Sequence, residues 1–137
     1  MKSDEALIER LDLKYGLEKT LDRIKRYENV LAIIIFGSQA KGKATRLSDI
    51  DICVVLSDVN RNKALISTCG SDKMDISFFD ELPIYMRYRV FKEGVLVYAR
   101  DEAKLTGIMG NTLSEFMDFR STLDEYFRIA YGWKYEI

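Results

Sequence analysis

Six consecutive apolar residues, Leu31 to Phe36 (LAIIIF), closed by Gly37, constrain this chain more than any other stretch. The run is rich in β-branched residues and too short for a typical helix, so it reads as a strand covered on both faces. Gly37 and Ser38 follow directly. A residue without a side chain lets the backbone come close to a ligand, and the serine hydroxyl adds a donor to the backbone N–H groups. Phosphate oxygens are natural partners for such a turn.

Ten residues separate Ser38 from Asp49, and Asp51 follows two positions later at the head of a second β-rich run, Ile50 to Leu56. Strand side chains alternate, so Asp49 and Asp51 share one face while Ile50, Ile52 and Val54 share the other. Two carboxylates on one face make a poor core but a good magnesium site. Mg²⁺ takes a few carboxylate oxygens together with water and substrate phosphate, and two such ions orient both the attacking and the leaving oxygen of an in-line displacement. The pattern therefore points to metal-assisted phosphoryl or nucleotidyl transfer. Between the strands, Lys41, Lys43 and Arg46 with Gly42 form a basic loop, and a short helix starting there would aim N–H groups at a triphosphate.

The rest of the chain reads as support. Leu7, Ile8, Leu11 and Tyr15, then Leu17, Leu21 and Ile24, fall at helical spacing with a phase slip near Gly16, which predicts one helix or two helical pieces between Ser3 and Tyr27. Lys63 to Cys69 fits an edge strand or a short helix. Met74 to Phe79 reads as a strand with Asp75, Ser77 and Phe79 on one side, and Asp75, flanked by Met74 and Ile76, is costly to bury without a partner. A helix is expected from Asp80, as N-cap, to Glu93, with Pro83 in its first turn and Gly94 after it. Val95 to Ala99 is a further short strand. From Asp101 to about Trp133 the pattern is helical, with interruptions expected near Gly107 and Gly110, and the aromatic residues from Phe116 to Tyr135 exceed what one helix need bury.

At 137 residues, with no long polar tract, the chain is expected to form one domain over residues 1–137. Its net charge of −1 shows none of the basic excess that sequence-independent nucleic-acid binding requires, so direct nucleic-acid binding is not expected. There is no apolar leader and no run long enough to span a bilayer, so a cytoplasmic location and no membrane association are expected. Cys53 and Cys69 have no CxxC spacing, and the chain has no histidine. Both thiols are expected to be free, zinc chemistry is not indicated, and Ser-His-Asp and Cys-His catalysis are excluded.

The series Gly37, Ser38, ten residues, Asp49, one residue, Asp51 resembles the signature of the DNA polymerase β-type nucleotidyltransferase superfamily. GSQAKGKATRLSDIDI, with Asp75 as a third acidic position on a later strand, is similar to its minimal nucleotidyltransferase (MNT) branch, and the resemblance covers most of the chain. It departs from the usual pattern at Gln39 and Lys41, where arginines are common, so one bidentate phosphate contact is lost. The resemblance implies an α+β nucleotidyltransferase fold: a small mixed sheet, helices packed against it and a long C-terminal helical region. It implies Asp49, Asp51 and Asp75 as catalytic and metal-holding residues, with Mg²⁺ as two ions and ATP as substrate. Gly37, Ser38, Lys41, Gly42 and Ser48 would bind the nucleotide.

Small stand-alone MNT proteins are typically the MntA-type antitoxin of MNT–HEPN pairs, which transfer AMP to a tyrosine of the HEPN ribonuclease toxin. The resemblance thus implies protein adenylylation, a HEPN-family partner, and assembly into a homo- or hetero-oligomer. Two other readings stay open: an antitoxin that acts by contact alone, and a nucleotidyltransferase acting on a small hydroxylated molecule.

Overall fold

The computed structural model of the protein describes residues 1–45, 47–57 and 61–132. The apolar run forms β1 (Val30–Phe36), buried throughout except for a half-buried Phe36. It lies inside a four-stranded mixed sheet of order β3-β2-β1-β4. β2 (Ile50–Leu56) and β4 (Val95–Ala99) flank β1 antiparallel, and β3 (Met74–Phe78) runs parallel to β2. Lys2 extends the β4 edge, accepting from the Leu96 N–H at 2.9 Å and donating to the Gly94 carbonyl at 3.2 Å.

Alternation along β1 explains why both faces are covered. Ile33 and Ile35 face α1 (Glu5–Tyr15) and α2 (Leu17–Lys25), meeting Leu7, Leu11, Leu17, Leu21 and Ile24. Ala32 and Ile34 face α4 (Ile84–Glu93) and α5 (Glu102–Tyr131), meeting Val90, Phe91 and Leu105. Each fully buried Leu or Ile in these layers contributes about 1.5–3 kcal/mol over an exposed one. Asp4 caps α1 by accepting the Leu7 N–H at 3.0 Å, and Gly16, at φ +70°, turns the chain into α2. The expected phase slip is this left-handed residue. Lys63–Ser67 folds as a helix, α3, which decides the segment that the sequence left between strand and helix.

Three expectations need correction. Asp80 is not a helix N-cap: Phe79–Glu81 forms a 3₁₀ turn, so Phe79 leaves the strand, and α4 begins at Ile84 after Pro83. Leu82 precedes a proline and is held extended at ψ 144°, which separates the two turns. Lys63 instead recruits the Asp80 carboxylate, with Nζ to Oδ2 at 2.6 Å. Second, α5 runs without a break through Gly107 and Gly110. Each glycine costs about 1 kcal/mol against alanine, and the Asp101 cap, the Arg87–Glu115 ion pair and the stacked Tyr88 and Phe116 rings (3.9 Å) anchor the helix regardless. Trp133 and Tyr135 lie outside the described residues.

The third correction concerns the loop after β1, where no helix starts among the described residues. Residues 37–42 make a single turn, with the Lys41 N–H on the Gly37 carbonyl (3.2 Å) and the Lys43 N–H on the Ser38 carbonyl (3.0 Å). Gly42, at φ +70°, ends it in the left-handed region before a helix can propagate. Among the described residues no helix is long and apolar enough to cross a membrane.

Candidate active site

The end of β1 and the start of β2 meet because the two strands are antiparallel, with Phe36 paired to Asp51. Gly37 is the next residue, at φ +74°, a conformation that L side chains rarely adopt. A Cβ there would collide with Asp51 Oδ2 and lie 3.2 Å from its Cγ. The glycine is thus what lets the turn close over the carboxylate.

The parallel pairing of β2 with β3 places Asp51 directly opposite Asp75. Neighbours in register share a face, so these two carboxylates project from the same side of adjacent strands. Asp49 lies two residues before Asp51, just outside the strand. Asp49 and Asp75 are exposed, whereas Asp51 is half-buried. Burial lifts the Asp51 carboxyl above the ordinary aspartate value, and the charges of Asp75 and then Asp49 lift it further. Three acids therefore act on one another, and a cation among them would relieve that repulsion.

The donor set suits a hard cation: oxygen ligands only, and no histidine in the chain. Among the described residues no three ligand side chains are gathered around a single point. Mg²⁺ relies on one or two carboxylates completed by water and substrate phosphate rather than on an all-protein cage, so Asp51 with Asp75 opposite it is a donor set that could hold the ion. Cys53 follows on the same face of β2, fully buried. Burial, with the Asp80 charge adding to it, pushes its thiol far above the ordinary range, so it supplies no thiolate nucleophile. Cys53 and Cys69 are both free.

Around these acids the nucleotide-binding candidates divide. Gly37 borders Asp51, and Ser38 is half-buried, its hydroxyl making no hydrogen bond with a described residue. Lys41 is engaged elsewhere, its Nζ 3.1 Å from Glu93 Oε2. Ser48 braces the loop: its Oγ accepts the Thr45 N–H at 2.8 Å and meets Thr45 Oγ1 at 3.3 Å. Gly42 shapes the turn. Arg46 lies outside the described residues. Sequence reasoning missed Glu93 as the partner of Lys41, and it missed the burial of Gln39, only 7% exposed. Neither carries a local signal, since both depend on contacts made across the fold.

Residues 18–103 match the family model described as Polymerase beta, Nucleotidyltransferase. Over 77 residues the chain is 38% identical to a candidate protein adenylyltransferase of Methanocaldococcus jannaschii, a match covering 56% of this chain. The chain spans 62% of the length of that relative. Among solved structures, one similar chain is from a toxin–antitoxin complex with AMP-PNP, at TM-score 0.60 and 21% identity, covering 77% of this chain and 90% of that one. A chain from a complex of a tri-AMPylated Shewanella oneidensis HEPN toxin with its MNT antitoxin is similar at TM-score 0.57 and 17% identity, over 78% of this chain and 86% of that one. At these identities the likeness is one of fold. A candidate nucleotidyltransferase of Sulfolobus solfataricus is similar at TM-score 0.50 and 26% identity, over 70% of this chain and 86% of that one.

Proposed function

Because the chain belongs to the polymerase β nucleotidyltransferase family, we propose that it transfers AMP from ATP to a tyrosine hydroxyl of a HEPN-type ribonuclease toxin and so silences it. The observation that carries this reading is the pairing of Asp51 with Asp75 beside a glycine that admits no side chain. The similar M. jannaschii protein is named as a candidate protein adenylyltransferase, and a chain of similar fold comes from a complex of an MNT antitoxin with an AMPylated HEPN toxin.

In this reading Asp49 and Asp51, with Asp75, would hold Mg²⁺ as two ions. Bound there, Mg²⁺ would offset the negative charge that develops on the α-phosphate and the leaving pyrophosphate. The backbone N–H groups at Gly37 and Ser38 and the Ser38 hydroxyl bind phosphate oxygens and fix the triphosphate in line. Asp75, exposed at the sheet edge, faces the acceptor and takes the proton from its hydroxyl. The acceptor oxygen bonds to the α-phosphorus as the bond to the β-phosphate bridging oxygen breaks, and pyrophosphate leaves.

ATP labelled at either the α- or the γ-phosphate tests the reading. Incubation with Mg²⁺ and the product of the adjacent gene should move α-label, and no γ-label, onto that protein. The Lys41–Glu93 pair favours a second reading, an antitoxin that acts by contact, because it engages a cation otherwise available to phosphate. A stable complex with neither label transferred would select it.

A further inference from the structure

A second concavity lies between α1 and the turn after β1, away from the carboxylates. Asp51 shares its face with Cys53 and Val55 in the layer under α4 and α5, whereas Leu11 and Ala40, beside this cleft, belong to the layer under α1 and α2. The cleft measures about 340 Å³ and is bordered by Arg10, Lys14, Tyr15, Gln39, Gly42 and Thr45 among others. That is the lower end of the roughly 300–1,000 Å³ typical of small-ligand sites. Among the described residues its lining includes two cations and no carboxylate.

Two features make this cleft a built site. Gln39 is 7% exposed, and its amide nitrogen makes only a long 3.5 Å bond to the Ser48 carbonyl. No described residue donates to its Oε1, which leaves an acceptor accessible from the cleft on an otherwise buried side chain. At the mouth, Arg10 and Lys14 stand one helical turn apart on the same face of α1, and neither forms an ion pair with a described residue. Like charges at this spacing repel, and an anion between them would reverse the sign of that interaction.

The complementary ligand has an anionic group that draws Arg10 and Lys14 together, a flat body against the Tyr15 ring, over which the Lys14 and Lys73 ammonium groups stand 5.7 and 5.2 Å from the centroid, and a hydrogen-bond donor for Gln39. We propose that the cleft binds a nucleoside monophosphate, at a site separate from the one that holds the acids. Free phosphate would satisfy the mouth and leave Gln39 unpaired, and a nucleoside alone would do the reverse. The proposal does not rest on the transfer reading.

The test is an amide NMR titration of the full chain with AMP, adenosine and inorganic phosphate as separate probes. AMP should shift Gly42, Thr45 and the second half of α1 saturably, with adenosine and phosphate each about tenfold weaker or worse. Asp51→Asn should bind AMP as the parent does. The double variant Arg10→Glu, Lys14→Glu, both exposed, should bind it at least about tenfold more weakly with helix content unchanged. Gln39→Leu should weaken AMP and adenosine and leave phosphate unaffected. Parent-like affinity in the double variant, loss of binding in Asp51→Asn, or phosphate binding as tightly as AMP would each overturn the proposal.

Discussion

Gly37 and Asp51 are fitted to one another: the turn after β1 closes over the Asp51 carboxylate only because Gly37 has no Cβ to strike its Oδ2. The contact joins the end of one strand to the start of its antiparallel neighbour, and so ties the Gly37–Ser38 turn to the acid.

Gly37→Ala should therefore harm stability and transfer together. The residue is held at φ +74°, where a side chain costs about 1–3 kcal/mol, and the collision with Asp51 adds to that. Gly16 is the control, since it has a similar φ of +70° with nothing within 4 Å of an added Cβ. Gly16→Ala should lose about 1–2 kcal/mol in chemical denaturation and keep full transfer. Equal activity in the two variants would contradict the fit.

The raised carboxyl of Asp51 sets a pH dependence. Its folded pKa lies above the unfolded value of 3.8, so the folded state binds the proton more tightly than the unfolded one. Ionising Asp51 then works against the fold: its unfavourable contribution is absent below pH 3.8 and grows as pH rises through the folded value. Without divalent metal, Asp51→Asn should be more stable than the parent near neutral pH, and the difference should vanish on acidification below pH 3.8. Thermal melts in chelator across that range check the sign.

Mg²⁺ with a non-hydrolysable ATP analogue should stabilise the parent, by about 2.7 kcal/mol at a hundredfold excess over the dissociation constant. The gain comes from neutralising the repulsion among Asp49, Asp51 and Asp75. Asp51→Asn and Asp75→Asn should lose most of it, and a shift of the same size in all three proteins, read by scanning fluorimetry, would count against a metal at these residues.

Arg100 offers a prediction about the fold alone. Its guanidinium donates to the carbonyls of Val30 (3.1 Å), Lys25 (2.9 Å) and Tyr27 (3.3 Å), closing the C-terminal end of α2 onto the sheet. Arg100→Ala should cost about 1.5–3 kcal/mol in urea denaturation. Arg100→Lys should recover only part, because an ammonium cannot fork across three acceptors.

Features encoded over short distances were legible in the sequence. The run Leu31–Phe36 and the slip at Gly16 each follow from apolar content and its periodicity. That Asp75 stands opposite Asp51 does not, because parallel register is set by a crossover of more than a dozen residues. Nor does the capture of Asp80 by Lys63 or of Lys41 by Glu93, since ion pairs formed across elements leave no trace in spacing. Gly107 and Gly110 misled for the same reason: packing against α4 outweighs a weak local propensity. Gln39 looked like a lost phosphate contact, and the fold turned it inward instead.

The measurement that bears most directly on the account is the intact mass of the adjacent gene's product after incubation with this protein, ATP and Mg²⁺, with Asp51→Asn in parallel. The expected result is a gain of one or more AMP units on that partner, located on tyrosine and absent with the variant. An unchanged partner mass, or the same gain with Asp51→Asn, would contradict it.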